Sequence, residues 1–99
     1  MARKVQIFNP VHLQKIKTDK MTVMGRIVDG NRRQQLSIYL NGFLIRKVTP
    51  STNGAFECRV DLAVLPLDEK QVVEIRMFSA RGTERIIIPF FKTSPNTET

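Results

Sequence analysis

Along most of the chain, apolar and polar residues alternate with a period of two. That is the signature of extended strands, whose successive side chains face opposite sides. The clearest segment is Gly54 to Leu62, GAFECRVDL. Phe56, Cys58, Val60 and Leu62 share one face, while Ala55, Glu57, Arg59 and Asp61 share the other. Such a segment reads as a half-buried antiparallel strand with one wet face. Met21 to Val28 places Met21, Val23, Gly25 and Ile27 on one face and Thr22 and Arg26 on the other. A glycine on the inner face leaves room for a bulky neighbour from the opposing layer. Asp29-Gly30-Asn31 follows with residues that tolerate positive φ and end the strand.

Leu36 to Leu40 alternates again, with Leu36, Ile38 and Leu40 inward and Ser37 and Tyr39 outward. Asn41-Gly42 comes next, and Phe43 to Val48 returns as the partner strand. Asn-Gly between two such runs signals a hairpin, because a type I′ turn needs positive φ at both central positions. Ala63 to Lys70, AVLPLDEK, is a connection, too short and too proline-marked to be a helix of any size. Gln71 to Ser79 has Val73, Ile75 and Met77 inward and Glu74 and Arg76 outward. Ala80-Arg81-Gly82-Thr83 turns the chain into Glu84 to Phe91, which contains Ile86-Ile87-Ile88 and then Pro89. A proline there fits an edge position or a bulge, since it donates nothing to a ladder. Val5, Ile7 and Phe8 make a short first strand.

The pattern predicts seven strands, over 4–8, 21–29, 35–41, 43–48, 54–62, 71–79 and 84–91, and no helix. Short strands separated by turn signals point to an all-β sandwich or small barrel. At 99 residues the chain supports one domain. Residues 1–20 read as an N-terminal arm with the short first strand, 21–92 as the sandwich and 93–99, TSPNTET, as a polar tail.

An ordered set of segments carries a resemblance. Thr22–Asp29, TVMGRIVD, is a strand with an inward glycine before an acidic turn, and Leu36–Gly42, LSIYLNG, is a strand ending in Asn-Gly. Asn53–Leu62, NGAFECRVDL, has a Gly-x-Phe strand after a loop, and Val72–Phe90 is a closing hairpin with a short glycine turn. Together they resemble the immunoglobulin-like β-sandwich domains of bacterial surface proteins and tailed-phage virion proteins. The resemblance covers about three quarters of the chain and consists of fold signatures. The usual Asn or Asp of the final turn is replaced by Ala80-Arg81. The paired cysteines and tryptophan of antibody domains are missing, so an antibody-type domain is not implied. The implied fold class is a seven-stranded antiparallel Ig-like β-sandwich.

Charge changes the picture. There are 16 Lys and Arg against 9 Asp and Glu, a net charge of +7. The excess lies entirely in residues 1–50, which carry ten bases and two acids; residues 51–99 carry six and seven. A basic half fits an acidic partner, whether a protein surface, nucleic acid or an anionic membrane surface. Lys15, Lys17, Lys20, Arg32, Arg33, Arg46 and Lys47 are the candidate partner-binding residues, forming one cationic patch if their loops gather at one edge.

Candidate chemistry is sparse. His12 has no Ser, Cys or carboxylate at a recognisable catalytic spacing. Cys58 falls on the apolar face of its strand and reads as a buried, inert thiol. Asp68-Glu69 are adjacent on a loop, where two carboxylates rarely flank one reacting bond. Asp29-Gly30-Asn31 lacks the further carboxylates of a calcium loop. No catalytic, cofactor-binding or metal-binding residue is assigned, and no enzyme is expected. The N-terminal MARKVQIFNP lacks an apolar run and a cleavage site, so no signal peptide is read, and no apolar stretch is long enough to insert in a membrane. The expectation is a cytoplasmic place of synthesis, with a virion as the site of action.

The expected function is a non-enzymatic, protein-binding Ig-like module acting as a virion structural or capsid decoration protein, its N-terminal arm and outward Phe78 helping to anchor it. The alternative is a small basic β-barrel of the oligonucleotide-binding type. That fold usually carries a helix between its third and fourth strands, and Ala63–Lys70 offers little room for one.

Overall fold

A computed structural model describes residues 5–28, 34–79 and 82–94. The described residues form eight strands: β1 (Val5–Asn9), β2 (Gln14–Ile16), β3 (Lys20–Ile27), β4 (Leu36–Leu40), β5 (Phe43–Val48), β6 (Ala55–Asp61), β7 (Lys70–Ser79) and β8 (Gly82–Lys92). They divide into a three-stranded sheet, β1-β3-β6, and a five-stranded sheet, β2-β8-β7-β4-β5. The strands sandwich a core with Met21, Val23, Ile27, Phe56 and Val60 on one side and Leu36, Ile38, Val73, Ile75 and Phe90 on the other. The all-β sandwich is therefore as the alternation predicts.

Two details differ from the sequence reading. There are eight strands instead of seven, because Gln14–Ile16 is a strand in its own right. The five-stranded sheet is also mixed: β2 pairs parallel with β8, whereas the other pairings are antiparallel. The physical reason is how the first twenty residues travel. β1 pairs antiparallel with β3 through Val5↔Ile27, Gln6↔Arg26 and Ile7↔Gly25. The chain then passes the cis Asn9-Pro10 bond and crosses to the other sheet, where Gln14, Lys15 and Ile16 lie opposite Phe90, Phe91 and Lys92. A three-residue strand is too short to show any alternation. Its one buried side chain, Ile16, gives no periodic signal.

The hairpin at Asn41-Gly42 has the left-handed backbone that its sequence demands, with φ of 50° and 90°. Asn41 does more than turn. Its backbone N–H donates to the Val72 carbonyl at 2.8 Å, and its Oδ1 accepts from the Val72 N–H at 2.8 Å. The hairpin tip is thereby fastened to β7.

Gly25 works as the inner-face gap that the sequence implies. It sits between Ile7 of β1 and Phe56 of β6 in the three-stranded sheet. A Cβ built there would collide with the Gln6 backbone carbonyl and lie 2.8 Å from Phe56 Cζ. The backbone carbonyl cannot yield without moving β1, so the glycine is required by close approach and not by its φ. Gly25→Ala is expected to lower unfolding free energy by about 1–3 kcal/mol, as overpacking does. Urea denaturation followed by circular dichroism measures this, and an unchanged midpoint would contradict the packing described.

Candidate binding groove

The basic residues singled out from sequence occupy two separate places. Lys15 lies on β2, while Lys17 and Lys20 flank the turn into β3; all three are exposed. With Asn9, Gln14, Thr18 and Thr22 they line a shallow recess of about 270 Å3. Arg46 and Lys47 lie on β5, at the opposite edge of the five-stranded sheet. Three strands intervene, and at ~4.8 Å per strand step the two groups are roughly 20 Å apart. Arg32 and Arg33 lie outside the described residues. Even Arg46 and Lys47 are not a pair in space. Lys47 opposes Ser37 on the outer face, and Arg46 opposes Ile38 on the inner side.

The outer face of the five-stranded sheet holds its own charge network. Glu74 Oε2 accepts from Arg76 Nε at 2.7 Å and from Arg85 Nε at 2.9 Å, and Arg76 lies 4.1 Å over the ring of Tyr39. One carboxylate serves two guanidiniums, so the network is left with net positive charge. The hydrogen bond from Arg76 holds the Glu74 carboxyl below its ordinary value; burial opposes this, and the Arg85 bond adds to it.

A second cation is buried. Lys92 is only 6% exposed. Its Nζ donates to the carbonyls of Leu62 at 2.8 Å and Ala63 at 3.1 Å, with Asp19 Oδ1 at 3.5 Å. Lys92 fixes the start of the β6–β7 connection by donating to these carbonyls, that of Leu62 also accepting from the Leu65 N–H at 3.0 Å. The sequence reading ends the last strand at Phe91 and so misses it.

A concave feature lies between the sheets, where β1 and β8 face each other. It has a volume of about 630 Å3 and is lined by Val5 to Phe8, Pro10 to His12 and Ile86 to Ile88. Eight of these ten side chains are apolar, and none is a carboxylate. Phe8 and Val11 are 55% and 54% exposed, so this lining is open to water, while Ile87, 54% exposed, lies on the outer face opposite Glu74. Apolar patches of this kind mark contact sites more often than scattered single exposed residues do. The signal in the sequence was the run Ile86 to Phe91. A near-continuous apolar run fits a strand covered on both faces, and here the outer face of Ile87 is bare.

The catalytic candidates are placed as follows. His12 is exposed at the groove wall. Cys58 is buried in the core; burial pushes its thiol up, and Arg46 offsets part of this. Asp68 and Glu69 are exposed on the connection. Asp29, Gly30 and Asn31 lie outside the described residues. Among the described residues, no group of three or more His, Cys, Asp and Glu is placed to hold a metal, and no helix is long and apolar enough to cross a membrane.

No family model matches the chain, and no curated protein matches it. Solved structures do. The fibronectin(III)-like modules of Clostridium thermocellum CbhA match with a TM-score of 0.66 and 14% identity, over 90% of this chain and 94% of that one. An endo-beta-1,4-mannanase from Thermotoga petrophila matches with a TM-score of 0.75 and 14% identity, over 92% of this chain. This chain spans only 20% of that mannanase. A Cellulomonas fimi endo-beta-1,4-mannanase double mutant matches at a TM-score of 0.51 and 16% identity, with 17% of its length covered. At such identities the likeness shows the fold, a β-sandwich of the immunoglobulin and fibronectin(III) kind.

The lowered Glu74 carboxyl makes a pH prediction. A folded value below the unfolded one contributes stability that is present above the unfolded glutamate value of about 4.3 and is lost as pH falls through the folded value. Melting temperature measured from neutral pH down to strongly acidic pH should therefore drop more steeply for the native chain than for Glu74→Gln. Parallel curves would mean that the arginine pair does not hold the carboxylate.

Proposed function

We propose that this chain is a non-enzymatic, protein-binding β-sandwich module whose contact site is the groove between β1 and β8. The observation that carries the reading is the open apolar lining itself, with Phe8 and Val11 about half exposed around one concave space that Ile86 and Ile88 also line. A fibronectin(III)-like module matched over 94% of its length supports reading the fold as a binding module. Binding energy comes from burying that lining, at about 25 cal/mol per Å2 of apolar surface removed from water. Lys15, Lys17 and Lys20, around a separate recess, add positive charge that steers an acidic partner toward the protein. Arg46 and Lys47 on the far edge, with Arg32 and Arg33, add to the long-range field.

The finer reading is a structural or decoration component of a virion. A lattice of copies would cover an apolar face that is costly to leave in water. The oligonucleotide-binding barrel draws less support, since the strands here form a two-layer sandwich. Phe8→Glu combined with Val11→Glu is expected to weaken co-sedimentation with virion particles at least tenfold, while leaving the circular dichroism spectrum unchanged. Undiminished co-sedimentation would overturn the groove reading. Tight DNA binding with a steep salt dependence would restore the nucleic-acid alternative instead.

A further inference from the structure

We propose that the stretch of β8 from Thr83 to Ile88 is a strand-addition site, which takes an extended, largely apolar segment of the partner protein with a carboxylate at the end nearest β2. This rests on the protein-binding reading above and says how the groove is filled.

The first observation is an open edge. β8 pairs with β7 along its length, but β2 lies on its other side only over Phe90–Lys92. Among the described residues, no strand accompanies 83–88 on that side. The second observation is which backbone groups point there. Val72 exchanges two hydrogen bonds with Asn41, so Val72 faces away from β8. Successive residues of a strand alternate, so Val73 and Ile75 face β8, and their partners Ile88 and Ile86 face back. Arg85 and Ile87 therefore aim amide and carbonyl toward the open side. Pro89 fits this phase, because its carbonyl accepts from the Leu13 N–H at 2.7 Å on that same side.

The third observation separates this edge from β5, the other edge strand of the same sheet. β5 is also an edge strand with exposed apolar residues, Phe43 being 76% exposed. It carries a register irregularity opposite Ile38/Tyr39 and two adjacent cations, Arg46 and Lys47. Bulges and edge charges are how sheets block unwanted pairing. The β7–β8 ladder has no such irregularity, its adjacent charges Glu84 and Arg85 are of opposite sign with Arg85 held by Glu74, and its open side gives onto apolar walls. Strand addition couples main-chain hydrogen bonds with pockets for alternate side chains, and this edge offers both.

Charge selects the occupant. The groove lining holds no carboxylate, and its polar members are Gln6 and His12. Within the stretch Glu84 adjoins Arg85, whose guanidinium is held by Glu74 at 2.9 Å, so the cation left to meet a partner is Lys15, beyond the other end on β2, and the chain carries +7 overall. Six residues of β8 span roughly 20 Å at ~3.3 Å per residue, so the occupant is a segment of about six residues, apolar along its middle and acidic at the end that meets Lys15.

The test uses the full chain and a synthetic eight-residue peptide of alternating valine and threonine with glutamate at each end. Its control has proline at the two central positions and cannot complete a ladder. The first peptide should shift the amide resonances of Arg85 and Ile87, and the control should bind at least tenfold more weakly. Ile87→Pro, which removes a donor aimed away from β7, should weaken the first peptide tenfold or more. Should that variant misfold, Val11→Asp tests the same groove without touching a ladder. Equal binding of the two peptides, no binding at millimolar concentration, or shifts confined to other strands would overturn the inference. Failure here with groove-dependent particle binding intact would leave the protein-binding reading standing, whereas peptide binding without any particle binding would leave the strand site and remove the virion role.

Discussion

One segment of backbone can complete only one ladder at a time, and the first twenty residues divide themselves between two. Val5–Asn9 is committed to β3 in one sheet and Gln14–Ile16 to β8 in the other. The crossing at Pro10 to Leu13 lets a short stretch of chain tie both layers together at one end. The same crossing leaves β8 uncovered where β1 has gone to the opposite sheet. The groove is the direct consequence: its walls are β1 and β8, which stand in different sheets, and its open side is the part of β8 that β2 is too short to reach.

The rest of the sandwich is tuned around that arrangement. Gly25 allows β1 to approach β3 and Phe56 closely enough to seal the core. Lys92, at the end of β8, reaches the carbonyls of Leu62 and Ala63 and fixes the connection at the foot of the sandwich. Glu74, Arg76 and Arg85 knit β7 to β8 on the outer face. Each holds β8 or β1 in place, so the groove sits on rigid elements and not on a mobile loop.

Much of this fold was legible in the residues. Alternation placed Phe56, Cys58 and Val60 in the core, and the Asn41-Gly42 turn and the inward Gly25 were visible as turn and packing signals. β2 was not, because three residues carry no period, and with it went the parallel pairing and the eighth strand. The site was less legible than the fold. Charge counting drew attention to Lys15, Lys17, Lys20, Arg46 and Lys47, but counting cannot tell which loops meet, and sheet order sets the two groups on opposite edges. The groove residues were present as an apolar run, Ile86 to Ile88, whose outer face should have raised the question of a cover. Lys92 was invisible, since a lysine after a strand normally reads as solvated.

The central claim is that β8 has one satisfied and one open backbone side between Thr83 and Ile88. Amide hydrogen exchange of the free protein, read residue by residue, tests it directly. Ile86 and Ile88 should exchange slowly and Arg85 and Ile87 quickly, in strict alternation. Uniformly slow exchange across all four would mean that the open edge does not exist.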